Sequence, residues 1–325
     1  MQNAFPAPDK INGNFKGKDI VSLDQFSQKD IKILFSHIKK MRSIAIKALP
    51  CDILAGKNVV LLFYEPSSRT RGSFDAATKQ LGGQTIVVEN PQQFSSVSKG
   101  ETFEDTIRVF EAYSDLIVLR HTDVGASQKA ADIAKLVPIV NAGDGKGEHP
   151  TQALLDLYTV YEKFERLDNL NVLFAGDMLN GRTVHSLMRG LALYPKNTVY
   201  LLSPYSLRLS RKDYSDFTNR GVKIVEIQSE KEIPKNADVW YWTRVQKERF
   251  KNKKDYEKVR NKFVVNQKFL DKYASKNTIL MHPLPRVGEI LPEVDSDPRA
   301  LYLRTQIRNG MYVRMALLAL VLGKV

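Results

Sequence analysis

The 325-residue sequence predicts an α/β fold of two doubly wound parallel-sheet domains joined by helices. Its length suits two domains at roughly 100–200 residues each. Short apolar runs bounded by turn residues alternate with longer helical patterns, which is how parallel strands covered on both faces read in sequence. These runs fall into two groups, before and after a helical stretch at 151–164.

The first group opens with a helix at 28–46, the strand NVVLLFY at 58–64 and a helix at 71–81. Strand 84–88, helix 103–113 and strands 115–119 and 137–141 complete it. After helix 151–164 come strand 173–175, helix 184–193 and strands 199–203, 222–227, 239–242 and 278–281. All the strands read as buried, because their apolar runs are nearly continuous. The closing helix, 311–322, is interrupted by Arg314 and is shorter than the ~18 apolar residues of a membrane span. The expected domains are 1–164, with 305–325 packing back on it, and 165–304. In such folds ligands sit beyond the carboxyl ends of strands.

Composition narrows the function classes. At 43% hydrophobic and 26% charged residues the chain is an ordinary globular protein, not a disordered one. The single cysteine, Cys51, excludes an internal disulfide and a cysteine-based zinc or iron–sulfur site, and no cluster has metal-ligand spacing. No metal site is therefore expected. The N-terminus lacks the apolar segment of a signal peptide. A reducing, cytoplasmic setting is expected, or an organellar one where a transit peptide has been removed.

Net charge is the global anomaly, at +13, and residues 208–272 hold 18 basic against 10 acidic residues. Such a balance suits nucleic acid, anionic lipid or an acidic small molecule. No nucleic-acid-binding pattern accompanies it. Between 247 and 262 the lysines are interleaved with Glu248, Asp255 and Glu257, the pattern of a solvated helix face.

The residues after the strands are more informative. Strand 58–64 runs into Glu65-Pro66-Ser67-Ser68-Arg69-Thr70-Arg71. Ser67 or Ser68 suits a helix N-cap, and the free N–H groups of a first turn attract anions. Arg69, Thr70 and Arg71 add donors suited to phosphate, although a capped helix with surface arginines reads the same way. Strand 115–119 ends in Arg120-His121. Strand 137–141 leads through a flexible glycine-rich loop to His149, Pro150, Thr151 and Gln152, where His149 is either structural or catalytic.

In the second half, Gly176-Asp177-Met178-Leu179-Asn180-Gly181-Arg182-Thr183 narrowly misses the P-loop pattern, with arginine in place of lysine. Asp177 opposes phosphate there, so Arg182 suits a smaller anion. Strand 239–242 ends in TRVQKER, with Arg244 and Gln246. Strand 278–281 ends in His282-Pro283-Leu284-Pro285-Arg286, where the Leu284 carbonyl can face a ligand and Pro285 is a candidate cis proline. Arginine therefore stands at strand ends in both halves.

Those stretches carry a resemblance. FYEPSSRTRGSFDAA, SKGETFEDT, VLRH, NAGDGKGEHPTQALLDLYT, GDMLNGRTVHSL, TRVQKERF, HPLPRVGEI and NGMYVRMALLAL resemble the catalytic chains of aspartate carbamoyltransferases along essentially the whole length. The resemblance implies a transferase moving the carbamoyl group of carbamoyl phosphate to L-aspartate, without metal or cofactor, as an early step of pyrimidine biosynthesis. Both substrates carry about two negative charges, so bringing them together requires cations.

By this resemblance Ser67, Ser68, Arg69 and Thr70 hold the phosphate, and Thr70, Arg120 and His149 donate to the carbamoyl oxygen. Gln152 and the backbone of Leu284 and Pro285 orient the carbamoyl NH2. Arg182, Arg244 and Gln246 hold the aspartate carboxylates. Ser95 and Lys99, in the polar stretch 90–101, reach a neighbouring subunit's site, which makes the active unit a homotrimer. Glu65 meets Arg182 and Arg249 on domain closure. The departing phosphate takes the amine proton. Regulatory chains or a pyrimidine-pathway assembly are left open, and neither nucleic acid nor membrane is an expected partner.

Two departures stand out: Ser68 replaces the family's usual threonine, and Gly72 a commonly larger residue. Ornithine carbamoyltransferases share the phosphate site but usually carry His-Cys-Leu-Pro where this chain has His282-Pro283-Leu284-Pro285. The cationic Arg244 segment also suits an anionic acceptor. A catalytically dead scaffold would not need the whole set of charged residues.

Overall fold

The computed structural model describes residues 8–246, 250, 252–260 and 262–325. Helix α1 (Gln28–Lys47) begins at a reciprocal cap, in which the Ser27 hydroxyl accepts the Asp30 N–H and the Asp30 carboxylate accepts the Ser27 N–H. Then follow β1 (Asn58–Phe63), α2 (Ser68–Gln80), β2 (Gln84–Glu89), α3 (Pro91–Phe94) and α4 (Phe103–Glu111). Strand β3 (Leu116–His121), α5 (Ala126–Ile133), β4 (Ile139–Asp144) and α6 (Pro150–Phe164) complete this half. The second half runs β5 (Asn171–Ala175), α7 (Arg182–Leu191), β6 (Thr198–Leu202), α8 (Arg211–Asn219) and β7 (Lys223–Ile227). It continues through β8 (Val239–Trp242), α9 (Lys253–Val259), α10 (Gln267–Tyr273), β9 (Ile279–Met281) and α11 (Thr305–Val321).

The chain divides into two compact units, Met1–Tyr158 with Asn309–Val325, and Thr159–Arg308. Each holds one parallel sheet. In the first the strand order is β2-β1-β3-β4, and in the second it is β7-β6-β5-β8-β9. In both, the chain lays strands to one side of its first strand and then crosses to the other. The crossing lies between β1 and β3 in one unit and between β5 and β8 in the other. Such switch points open a crevice at the strand carboxyl ends, where ligands of doubly wound sheets bind.

Each sheet has, at its own amino end, a clamp of the same kind. Asp115, before β3, accepts the N–H of Asn58 at the start of β1 at 2.8 Å and pairs with Lys57 at 2.6 Å. Asp238, before β8, accepts the N–H of Asn171 at the start of β5 at 2.8 Å and lies 3.1 Å from Arg166. Their cores differ. Aliphatic residues such as Val60, Leu62, Ile117 and Leu119 dominate the first cluster, whereas Trp240, Trp242 and Tyr302 anchor the second.

Every expected strand forms, but not all are buried. Strands β2 and β7 are sheet edges with only partial cover, and Val87 is 42% exposed. An apolar run reports a strand; it does not tell an edge from a centre. Helices α3, α5, α8 and α10 are not marked in the sequence reading, being short, at four to nine residues. Helix α9 lies within the lysine-rich stretch, where Lys254, Glu257 and Lys258 are exposed.

Candidate active site

Strand β1 delivers the chain to Glu65, Pro66 and Ser67. Ser67 is the N-cap of α2, and its hydroxyl makes no capping bond. The helix starts earlier than the expected residue 71, so Ser68, Arg69 and Thr70 form its first turn. The backbone ladder begins with the Arg71 N–H donating to the Ser67 carbonyl at 3.0 Å. The N–H groups ahead of it therefore lie at the positive end of the helix dipole, and no acidic residue occupies that turn. Arg71 itself is paired with Glu89 at 2.7 Å.

Phe63 of β1 and Arg120 of β3 are register partners, which sets Arg120 beside the α2 approach. Its side chain is buried; Nη1 donates to the Ala142 carbonyl at 3.1 Å, and Nη2 lies 3.1 Å from Glu65 Oε1. The expected partners of Glu65 were Arg182 and Arg249. Within its own unit Glu65 pairs with Arg120, and Arg249 lies outside the described residues. The neighbouring His121 is structural. Its Nδ1 accepts the Asp123 N–H, its ring packs on Tyr64 and Phe103, and burial pushes its pKa below the usual histidine value.

The loop after β4 is pinned, contrary to the flexible reading of its glycines. Gly145 has φ +51°, and an added Cβ would lie 2.2 Å from the Thr122 carbonyl oxygen. The Asp144 carboxylate accepts the N–H groups of Gly125 and Glu148, while Glu148 accepts the Ser22 hydroxyl and the Leu23 N–H. His149 is thereby held just ahead of α6, 4% exposed, with Nδ1 3.5 Å from the Thr151 hydroxyl. Pro150 takes the first helical position, where a missing N–H costs nothing. In the next turn Gln152 Nε2 donates to Asp156 Oδ1 at 3.1 Å.

Asp156 and Arg314 were not foreseen as site residues. Both are buried, and Asp156 is the opposite charge that supports Arg314, whose pKa burial pushes down to about 10. Arg314 Nη1 donates to the Ser73 hydroxyl at 3.1 Å, and its guanidinium lies 5.0 Å from the Phe74 ring centre. The i, i+4 spacing of Gln152 and Asp156 was the available signal.

The stretch expected as a long loop, 90–101, contains α3 and a 3-10 turn, Ser96–Lys99. The Ser95 hydroxyl donates to the Pro91 carbonyl at 2.7 Å and accepts the Val97 N–H at 3.2 Å. Lys99 is exposed and follows the edge strand β2, not the switch point.

In the second unit, Gly176 follows β5 with φ +116°, and an added Cβ would sit 2.2 Å from the Thr243 carbonyl oxygen. Thr243 joins the two strand ends. Its N–H and hydroxyl donate to the Ala175 carbonyl at 2.8 and 3.1 Å, and its hydroxyl accepts the Asp177 N–H at 3.2 Å. The buried Asp177 carboxylate turns into its own loop and accepts from the Asn180 N–H and side-chain amide. Burial raises its pKa, opposed by those donors. It therefore organises the loop and does not face a bound anion.

Gln246 Nε2 donates to the Asn180 carbonyl at 3.2 Å, which couples the loop after β5 to the segment after β8. Arg182 is the first residue of α7, and Arg244 follows β8; both are half-buried. Strand β9 adds a third end. The Leu284–Pro285 bond is cis, Leu284 has φ +57°, and its N–H donates to His282 Nδ1 at 2.7 Å. His282 Nε2 donates to Glu289 at 2.7 Å. Burial, the largest single influence, would raise Glu289, but the hydrogen bond and charge of His282 and the Val287 and Glu289 N–H donors together outweigh it and leave the carboxyl below its usual pKa.

Each unit thus gathers donors and cations at the carboxyl ends of the two strands flanking its switch point. A family model described as aspartate/ornithine carbamoyltransferase, carbamoyl-P binding domain, matches residues 18–162, and one described as the Asp/Orn binding domain matches residues 168–321. The chain belongs to the aspartate/ornithine carbamoyltransferase family.

The chain is 47% identical over 310 residues to aspartate carbamoyltransferase 2, chloroplastic, of Pisum sativum, covering 95% of this chain and 80% of that protein. It is 46% identical over 323 residues to the multifunctional protein pyr1-3 of Dictyostelium discoideum, covering 99% of this chain but only 14% of that protein. In structure it is similar to the Trypanosoma cruzi aspartate transcarbamoylase in complex with carbamoyl phosphate and aspartate, at TM-score 0.88 and 37% identity, covering 97% of this chain and 100% of that one.

Proposed function

We propose that this transferase moves the carbamoyl group of carbamoyl phosphate to the amine of L-aspartate, giving N-carbamoyl-L-aspartate and phosphate, as an early step of pyrimidine biosynthesis. One observation carries it: three neighbouring strand ends of one sheet present an unopposed helix N-terminus, buried Arg120 and buried His149. That set suits a phosphorylated carbonyl compound. The half-buried arginines at the other switch point suit an acceptor with two carboxylates.

In this reading Ser67, Ser68, Arg69 and Thr70 hold the phosphate with the first N–H groups of α2. Thr70, Arg120 and His149 donate to the carbamoyl oxygen, where negative charge grows as the aspartate nitrogen attacks the carbonyl carbon. Gln152 and the Leu284 and Pro285 backbone accept from the carbamoyl NH2. Arg182, Arg244 and Gln246 hold the aspartate carboxylates. The carbon–oxygen bond to phosphate then breaks, Arg69 supports the leaving charge, and the phosphate takes the amine proton. Every bond made and broken is accounted for without a protein base.

A homotrimer with Ser95 and Lys99 entering the neighbouring site belongs to the same proposal, as does a cytoplasmic location. The Pisum relative is named chloroplastic. Among the described residues no helix is long and apolar enough to cross a membrane.

Carbamoyl-transfer assays with aspartate and ornithine as alternative acceptors test the reaction. Turnover of aspartate is expected, and turnover of ornithine alone would overturn the assignment. Inactive Lys99→Ala protein mixed with inactive Arg69→Ala protein should regain activity after subunit exchange, because some hybrid sites contain neither substitution. No recovery in verified hybrids would place Lys99 in its own chain's site or in none.

A further inference from the structure

A primary amide has a donor end and an acceptor end, and its partners decide which end faces a ligand. Gln152 is half-buried, and its Nε2 donates to Asp156 Oδ1 at 3.1 Å. An ionised carboxylate only accepts hydrogen bonds, so while Asp156 is charged the amide nitrogen must face it. The carbonyl oxygen of Gln152 is then the end presented outward. Asp156 is fully buried, a setting in which a carboxylate stays charged only with a cation to support it.

Arg314, buried in the same unit, is the cation whose charge Asp156 supports. It is held by the Ser73 hydroxyl and the Phe74 ring on α2, and it stands one turn after Gly310 on α11. A Cβ at residue 310 would lie 2.8 Å from Arg314 Nη1, so the glycine leaves space for the guanidinium. The arrangement joins α2, α6 and α11 inside the first unit.

We propose that Asp156, supported by Arg314, is a positioning residue that makes the site selective for an acyl phosphate bearing an NH2 group. It locks the Gln152 amide with Oε1 toward the carbamoyl NH2, which a methyl group in that place cannot satisfy. The inference rests on the reading that Gln152 faces the carbamoyl nitrogen.

Acetyl phosphate, with methyl in place of NH2, is the probe. The preference for carbamoyl over acetyl phosphate is measured at saturating aspartate, with acetyl phosphate read as substrate or as competitive inhibitor. In Asp156→Asn the Asn amide can donate as well as accept, so the Gln152 amide is free to turn. The preference should fall roughly 3- to 10-fold, the worth of about one neutral hydrogen bond. The fall should come through a higher KM for carbamoyl phosphate, with the KM for aspartate unchanged. Gln152→Met should lose the same preference, and adding Asp156→Asn to it should cost no more.

An unchanged preference in Asp156→Asn would overturn the proposal, as would an equal further loss in the Gln152→Met background. Should Asp156→Asn fail to fold, Asp156→Leu with Arg314→Met replaces the buried pair by apolar groups and must show the same fall. A wild-type protein without carbamoyl transfer to aspartate would instead defeat the underlying reading of the site.

Discussion

At the carboxyl end of the first sheet the three donors proposed to meet the carbamoyl oxygen are buried, while Ser68 and Arg69, proposed to hold the phosphate, are exposed; at the end of the second sheet the buried polar groups are not those proposed to hold the acceptor. Arg120, His149 and Thr70 are each less than 9% exposed, and each belongs to the set proposed to touch the carbamoyl phosphate. In the second unit Arg182, Arg244 and Gln246 are half-buried, and the deeply buried groups are Asp177, Thr243, His282 and Glu289. The difference matches the two tasks. Charge that develops only during reaction is best met by preorganised donors in a dry setting. The carboxylates of aspartate carry full charge from the start, and cations on an accessible edge can collect them from water.

This comparison is broken first at His149. His149→Ala is expected to lower kcat by roughly 10²–10³-fold, the usual loss of one donor to a developing oxyanion, with little change in carbamoyl phosphate binding. Steady-state kinetics with a binding titration checks it, and an unchanged kcat would remove His149 from the chemistry. In the second unit the largest effect should fall on affinity. Arg244→Ala is expected to raise the aspartate KM by roughly 10- to 100-fold, as loss of a charge-assisted hydrogen bond does, while carbamoyl phosphate affinity holds. An equal loss for both substrates would deny the division of labour between the units.

The supporting layer gives a smaller signal. Thr243→Val keeps the shape but removes the hydroxyl that bridges Ala175 and Asp177. The aspartate KM should rise roughly 3- to 10-fold, as one neutral hydrogen bond is worth, without an effect on carbamoyl phosphate. Equal weakening of both substrates would show that Thr243 serves global stability. Glu65→Ala addresses the first unit's counterpart. It should raise the aspartate KM and leave carbamoyl phosphate affinity nearly intact, whereas the contact with Arg120 as its sole role would move carbamoyl phosphate affinity instead.

The amino ends should respond alike, since there the two units are built alike. Asp115→Asn and Asp238→Asn are each expected to cost about 1–2 kcal/mol in thermal or denaturant unfolding. For Asp115 the pH dependence has a definite sign. Burial would raise its pKa, but Lys57 and the Asn58 N–H outweigh that and lower it. A lowered folded-state pKa stabilises above the unfolded value of about 4, and that stability is lost as pH falls through the folded value. The gap between wild type and Asp115→Asn should therefore close in acid.

Much of this architecture was legible in sequence because its signals are local. Continuous apolar runs marked the strands, and turn residues marked their ends. Ser67, Arg120, His149, Arg182 and Arg244 stand out as candidates once the residues that follow are taken. The boundaries that matter chemically were less legible. Helix α2 starts at Ser68, not residue 71, and α7 starts at Arg182, not residue 184, so residues read as loop lie in helical first turns. Asp177 looked like an obstacle to an anion until the fold turned its carboxylate inward onto Asn180.

The sequence by itself determined the parallel α/β class, the two strand groups and the residue types at each strand end, since hydrophobic period and turn chemistry are properties of neighbours along the chain. Strand order was decided only in three dimensions. Nothing local places β3 beside β1 or β8 beside β5, yet those pairings create the switch points and bring Arg120 next to the α2 approach and Thr243 next to Gly176. Burial followed the same logic: β1 and β2 read alike as apolar runs, but one became a sheet centre and the other an edge. Asp156 on α6 and Arg314 on α11, whose guanidinium meets Ser73 on α2, draw on three helices far apart in sequence, because a buried charge is tolerated only where tertiary packing delivers its partner.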